Sequence, residues 1–350
     1  MFTTLIPSPT HEAIYRVEDP DSGLLGIIAL HSTQLGPAAG GLRMRPYSSF
    51  AEALEDVSRL SAGMTYKNAA AGLPLGGGKA VLLADPATQK TPELLRAFGR
   101  ALQTLEGRYY TAEDMGMSPE DMALIHEETT FVAGLPDGAF ASGDPSPVTA
   151  RGIFNAILTA HESCQRTRDI SGRVVSLQGL GHVGWHLACL LHGAGADLIV
   201  TDTDPDRINA AQRELGATAV APDEIYAAPS DIFAPCAIGG ILNPETIAQL
   251  NVSMVVGGAN NQLATPSDAQ RLHERGILYA PDFVANGGGI INVATEILKI
   301  EDRAGFVDQK LHALDQTLRR ILTEAKSQNV SPDTVAIDTV NRIIAARAAS

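Results

Sequence analysis

The chain is poor in cysteine, in basic charge and in long apolar runs, and each shortage removes a class of function. Its three cysteines, Cys164, Cys189 and Cys236, stand far apart with no Cys-x-x-Cys or Cys/His spacing. That pattern offers neither a disulfide framework nor a zinc site, so reduced thiols in a cytoplasmic protein, and no metal, are expected. Lys and Arg number 26 against 40 Asp and Glu, a net charge of −14. Without a basic cluster no nucleic-acid partner is expected. No stretch approaches about 18 uncharged apolar residues, so no membrane span is expected. The opening MFTTLIPSPTHEA lacks the basic and apolar regions of a signal peptide.

What is present is ordinary globular composition, 45% hydrophobic and 19% charged, in 350 residues. That length is too great for one average core, so two domains are expected. The 33 glycines cluster in short motifs without a period, which argues for tight turns and phosphate loops. EAIYRV and LLGIIALH, joined by EDPDSG, predict a hairpin over residues 12–31. Leu54, Val57, Leu60 and Met64 make one apolar stripe, so SSFAEALEDVSRLSAGM predicts a helix capped by Ser48 or Ser49. AVLLAD reads as a buried strand, TPELLRAFGRALQTL as a helix capped by Thr91, and YYTAED as a strand entering a loop.

After SGDPSP, residues 142–147, the pattern changes. A helix over ARGIFNAILTAHESCQ is followed by apolar runs alternating with helical segments: VVSLQG, DLIVTD, ATAVA, DIFAPC, SMVVGGA and ILYAPD. Such alternation predicts a parallel sheet. The last segment, roughly 303–348, reads as amphipathic helix.

Two motifs carry chemistry. GMTYKNAAAGLPLGGGKAV sets Lys67 and Lys79 around a proline and three glycines, ahead of the acidic TAEDMG. Lysines beside backbone that can approach a ligand suit an anion or proton-transfer site on a small charged molecule. In the second motif the strand Val174 to Leu177 runs into Gly179-Leu180-Gly181-His182-Val183-Gly184 and a helix, and the next strand ends in Asp202. There Gly179 makes the tight turn, Gly181 admits pyrophosphate to the backbone, and Gly184 lets helix and strand pack. The helix N-terminus offers N–H groups to the phosphates, and Asp202 stands where a carboxylate binds the ribose hydroxyls of NAD. Arg207 nearby keeps NADP in view.

With both halves in hand, the chain resembles the amino acid dehydrogenases of the Glu/Leu/Phe/Val family, on the leucine and phenylalanine branch. The resemblance rests on LGPAAGGLRM, GMTYKNAAAGLPLGGGK, TAEDMG, GDPSPVTA, GLGHVG, APCAIGG, GGANNQL and YAPDFVANGGGIINVATE, in that order along nearly the whole chain. It implies an α/β protein of two domains separated by a catalytic cleft. Residues 1–142 would form the substrate and oligomerisation domain, with a helix near 330–350 packing back on it. Residues 143–329 would form the Rossmann NAD-binding domain. It also implies a homo-oligomer, often an octamer and sometimes a dimer. The implied reaction is oxidation of an L-amino acid by NAD and water to the 2-oxoacid and ammonium.

By the same resemblance Lys67 binds the substrate carboxylate and Lys79 is the catalytic base. A base acting near neutral pH needs a lysine whose pKa is lowered to roughly 7–8 by burial or cations. Asp114 matches the acid that relays protons to and from the amine; a cap for the helix after it is the plainer reading. Asn261 matches a residue near carboxylate and nicotinamide, with Asn260 able to exchange roles, and both also read as a strand end. Thr149 resembles a position near the nicotinamide carboxamide. Gly40 and Gly41 line the substrate pocket, with Ala39, Ala112, Ile290 and Val293 around the substrate side chain. Ala39 stands where glutamate enzymes carry a lysine, so an apolar substrate is implied. Ala112 with Glu113 resembles leucine-type enzymes, whereas Ala39 and Gly184 lean toward phenylalanine. His182 reads as a variable loop position and Cys236 as a packed thiol. A catalytically silent NAD-binding protein is the alternative from another class.

Overall fold

The structure, a computed structural model, describes residues 2–348. The chain divides into two compact units. The first takes the chain up to Asp144, residues 290–306 and the end from Arg342; the second takes residues 145–289 and 307–341.

In the first unit, β1 (Phe2–Ile6), β2 (Ala13–Asp19), β3 (Leu24–Ser32), β4 (Ala38–Arg45), β5 (Gly76–Leu83) and β6 (Tyr109–Glu113) form one sheet in the order β1-β2-β3-β5-β4-β6. The predicted hairpin is β2–β3, antiparallel from Ala13↔Leu30 to Asp19↔Leu24. β4 lies between β5 and β6, parallel to both. Neither β1 nor β4 is expected from the sequence pattern. AAGGLRMR lacks the alternation of a strand, and it becomes one because partners on both sides supply its hydrogen bonds.

Helix α1 (Phe50–Ala70) is capped by Ser49, whose Oγ accepts the Glu52 N–H. It covers one face of the sheet, where Ala53 and Val57 meet Ile27 and Val81. α2 (Pro92–Gln103) and α3 (Pro119–His126) cover the other, where Leu94, Phe98 and Met122 meet Leu42 and Leu82.

The glycine run is not a ligand loop, as its composition suggested, but the first half of strand β5. A Cβ on Gly77 would lie 2.1 Å from the Thr65 backbone nitrogen in α1, and one on Gly78 would lie 2.7 Å from the Tyr109 ring. The glycines let α1 and Tyr109 close on the sheet from opposite faces. Asn68 completes the junction by donating from Nδ2 to the Gly76 carbonyl at 2.6 Å.

In the second unit, α4 (Ser146–Gln165) precedes β7 (Val174–Gln178), α5 (His182–Gly193), β8 (Asp197–Thr201), α6 (Pro205–Leu215), β9 (Thr218–Ala219) and β10 (Ile232–Pro235). α7 (Pro244–Gln249), β11 (Met254–Val255), α8 (Ser267–Glu274), β12 (Leu278–Tyr279) and α9 (Asp282–Ala285) follow. All strand pairs are parallel, in the order β12-β11-β10-β7-β8-β9. The order reverses between β7 and β10, the topological switch point where open α/β sheets bind ligands. α10 (Gly288–Ile297) is followed by α11 (Arg303–Gln328) and α12 (Pro332–Ala348). The predicted helical tail is therefore two helices, interrupted at Asn329, whose φ is 54°. Among the described residues no helix is long and apolar enough to cross a membrane.

Candidate active site

In the first unit the residues meet midway along β4 and β5 and at the carboxyl end of β6. Lys79 leaves β5 on the α1 side, beside Val81, and is only 6% exposed. Its Nζ lies 2.7 Å from Oδ2 of Asp114, which follows directly after β6. Gly41 makes the approach possible. A Cβ there would stand 2.9 Å from the Asp114 Cβ and 3.2 Å from the Lys79 Nζ. Tyr109, fully buried, donates its hydroxyl to the Gly40 carbonyl at 2.8 Å and fixes the glycine pair from the far side of the sheet.

Asp114 carries a second cation. Arg43 Nε donates to the same Oδ2 at 3.1 Å, and Arg43 Nη1 reaches Asp56 Oδ2 on α1 at 3.2 Å. Burial pushes the Asp114 carboxyl up, but Lys79 and Arg43 outweigh it and hold the group well below the usual carboxylate range. The helix-cap reading of Asp114 does not hold: α3 is capped by Ser118 in a capping box with Asp121. No local pattern in the sequence marks Arg43. It stands two places after the paired glycines, and its partners Asp56 and Asp114 lie 13 and 71 residues away.

Lys67 lies in the last turn of α1, half-buried, and the neighbouring Asn68 locks that turn to the strand bearing Lys79. Ala39 and Ala112 alternate onto the Lys79 face of the sheet and are buried. Ile290 and Val293, three residues apart on α10, also belong to the first unit. Three residues beyond Val293 on α10 lies a feature the sequence did not reveal: Glu296, 8% exposed, accepts the N–H groups of Gly134 at 2.8 Å and Ser142 at 2.9 Å.

In the second unit the glycine loop sits at the switch point, at the end of β7. Gly179 has φ 95° and donates to the Thr201 carbonyl at 2.8 Å. A Cβ on Gly184 would fall 1.9 Å from the Gly179 carbonyl oxygen, which is a packing demand. Gly181 is different: a Cβ there would meet nothing nearer than Arg207 Nη1 at 3.8 Å. It is the N-cap of α5 and supplies no side-chain cap, so the first N–H groups of the helix are left for another acceptor. Leu180 donates its N–H to Asp202 Oδ2 at 2.5 Å, which ties the loop to the end of β8. Arg207 is 4.0 Å from Asp202 but 3.3 Å from Asp204. An uncapped helix start, an open glycine and a carboxylate at the next strand end fit a dinucleotide.

The remaining residues are also placed. His182 is exposed at the start of α5, and Val183 follows it in the first turn. Thr149 donates its hydroxyl to the Pro145 carbonyl at 2.9 Å in the first turn of α4. Asn260 Oδ1 accepts from Asn286 at 3.0 Å, and Asn261 has φ 51°. A left-handed asparagine is uncommon and marks a specified turn. Burial pushes the Cys236 thiol up to about 12. Among the described residues no group of three or more His, Cys, Asp or Glu is arranged to hold a metal ion.

Comparison with known proteins agrees with this geometry. Residues 11–131 match the Glu/Leu/Phe/Val dehydrogenase dimerisation domain, and residues 203–349 match the Glutamate/Leucine/Phenylalanine/Valine dehydrogenase family. Leucine dehydrogenase of Geobacillus stearothermophilus is 46% identical over 94% of this chain and 89% of its own. Phenylalanine dehydrogenase of Lysinibacillus sphaericus is 49% identical over 82% of this chain and 77% of its own. The crystal structure of L-tryptophan dehydrogenase from Nostoc punctiforme superposes with a TM-score of 0.83, at 41% identity and 97% coverage of both chains. The chain therefore belongs to the Glu/Leu/Phe/Val dehydrogenase family, on its leucine/phenylalanine branch, and is an oxidoreductase acting on CH–NH2 groups.

Proposed function

We propose that the protein is an NAD-dependent L-amino acid dehydrogenase that reversibly deaminates leucine and other branched-chain amino acids. The observation that carries this reading is the 2.7 Å pair of buried Lys79 with Asp114, opened by Gly41. A carboxylate and an amine held together in a largely buried pair are suited to moving protons at one carbon.

The ammonium of Lys67 holds the substrate carboxylate and so selects the face of Cα that reacts. NAD supplies the hydride acceptor when bound. Asp114 rests ionised, stabilises the positive charge that develops on the imine nitrogen, and carries the protons of the amine only in passing. Lys79 takes a proton from the water that adds to the iminium carbon, and ammonia leaves as the carbinolamine collapses. Ala39, Ala112, Ile290 and Val293 would face the substrate side chain; they offer it no charge, which disfavours glutamate. Gly40, Gly41 and Asn261 complete the substrate contacts. The loop from Gly179 through Gly184, Asp202, Thr149 and Asn260 would hold NAD. Asp202 favours NAD over NADP, and the ion pair of Arg207 with Asp204 supports that choice.

Residues 1–142 would then act as the catalytic and oligomerisation domain and 143–329 as the cofactor domain, in a cytoplasmic homo-oligomer, octamer or dimer. Leucine dehydrogenases recur among the relatives at 45–50% identity, which supports the branched-chain substrate. The alternative is an aromatic substrate, favoured by Ala39 where leucine enzymes carry a larger residue and by the 49% identity to a phenylalanine dehydrogenase.

The test follows NADH formation with a panel of L-amino acids and NADH loss with 2-oxoacids plus ammonium. Leucine should give the highest kcat/KM; no turnover in either direction would refute the enzyme. Lys79→Ala should lower kcat at least about 100-fold, the scale of a lost general base, while NADH still binds. Retained turnover would remove Lys79 from the role.

A further inference from the structure

We propose that Arg43 is a positioning residue for the Lys79–Asp114 pair, dividing the charge of Asp114 so that Lys79 can give up its proton. The inference rests on the function proposed above and adds to it a residue whose hydrogen bonds go to Asp114 and Asp56.

A lysine beside a lone carboxylate is a poor base, because the opposite charge stabilises its protonated form. Here the carboxylate oxygen facing Lys79 at 2.7 Å also accepts the Arg43 guanidinium at 3.1 Å. A guanidinium is charged at every working pH. Asp114 therefore keeps a cationic partner when Lys79 gives up its proton. The arrangement is anchored on both sides. Arg43 is 14% exposed and bonds Asp56 Oδ2 at 3.2 Å, and Tyr47 donates to that same oxygen at 2.8 Å. A guanidinium fixed at two carboxylates cannot swing away, so its effect on Asp114 is constant through the reaction.

The charged and titratable groups around the pair come from every neighbouring element. Arg43 and Arg45 lie on β4, Asp56 and Lys67 on α1, Tyr47 between β4 and α1, and Tyr109 on β6. Lys67 and Asp56 are 11 residues apart, which puts them on one face of α1 at a spacing of roughly 16 Å. Arg45 pairs with Glu52 at 2.8 Å and comes no nearer than 4.0 Å to Asp56. Burial pushes the Tyr109 hydroxyl well above its ordinary value, a direction that keeps it protonated. Among these groups Arg43 is the cation bonded to the same oxygen as Lys79.

The test is the pH dependence of kcat/KM for wild type, Arg43→Gln, Arg43→Lys and Asp56→Asn, with thermal unfolding as a check on folding. In wild type the acidic limb reports loss of the proton from the base. Arg43→Gln should move that limb up by about 1 pH unit, the lower end of the effect of a neighbouring charge. That is about a tenfold loss of kcat/KM below the limb, recovering at high pH. Arg43→Lys should shift it less. Asp56→Asn should move it down, because the whole guanidinium charge then falls on Asp114. If Arg43→Gln fails to fold, the opposite shifts of Arg43→Lys and Asp56→Asn decide. An unmoved limb in the folded variants, with activity lost uniformly across pH, would overturn the proposal while leaving the dehydrogenase reading intact. A wild type inactive on every amino acid would overturn the function reading, and this proposal with it.

Discussion

Replacing Gly181 with alanine separates a glycine needed by a ligand from one needed by the fold. Gly181 has φ −62° and ψ −174°, a conformation any residue adopts, so the substitution carries no backbone strain. Its new methyl would meet no protein atom within 3.8 Å. Stability should change by less than about 1 kcal/mol. The methyl would instead stand over the uncapped start of α5, where a phosphate has to approach the N–H groups. Losing one hydrogen bond to a charged group costs about 1.5–3 kcal/mol, or roughly 10- to 150-fold in Kd. Gly184→Ala is the contrast, since its Cβ would sit 1.9 Å from the Gly179 carbonyl oxygen and force backbone apart. It should cost about 1–3 kcal/mol or more of stability. Thermal unfolding and fluorescence titration with NADH read the two effects separately. The reasoning fails if Gly181→Ala binds NADH like wild type, or if it melts as early as Gly184→Ala.

Two further outcomes follow from buried carboxyl groups. Glu296→Ala leaves the N–H groups of Gly134 and Ser142 without their acceptor, at about 1–3 kcal/mol each; the melting temperature should drop by several degrees, less for Glu296→Gln, and an unchanged melt would refute the clamp. Asp333 has its pKa raised from 3.8 to about 6 by burial and then by Asp282. Its contribution to stability is therefore fully present below 3.8 and lost as pH rises to about 6. Asp333→Asn should stabilise the fold at pH 8 by about 1–2 kcal/mol, a shift of this size less the helix-dipole attraction lost at the start of α12, and should change little at pH 3.5. Urea unfolding at the two pH values tests this; equal effects at both would show that the charge of Asp333 is not what strains the site.

Much of this protein was determined by local sequence. The β2–β3 hairpin, the apolar stripe of α1 and its Ser49 cap, the parallel β-α alternation and the loop from Gly179 to Asp202 depend on residues within about 25 positions of one another. Periodicity and turn chemistry carry that information directly. β4 was not legible, because AAGGLRMR owes its strand to β5 and β6 on either side. The three glycines before Lys79 were misread for the same reason. Their demand comes from Ser32, Thr65 and Tyr109, none adjacent to them in the chain. Lys79 and Asp114 were nameable from their motifs, but the arginine that shares Asp114 was not. Charge acts through distance in space, and only the parallel register of β4 between β5 and β6 brings residues 43, 79 and 114 to one carboxylate oxygen.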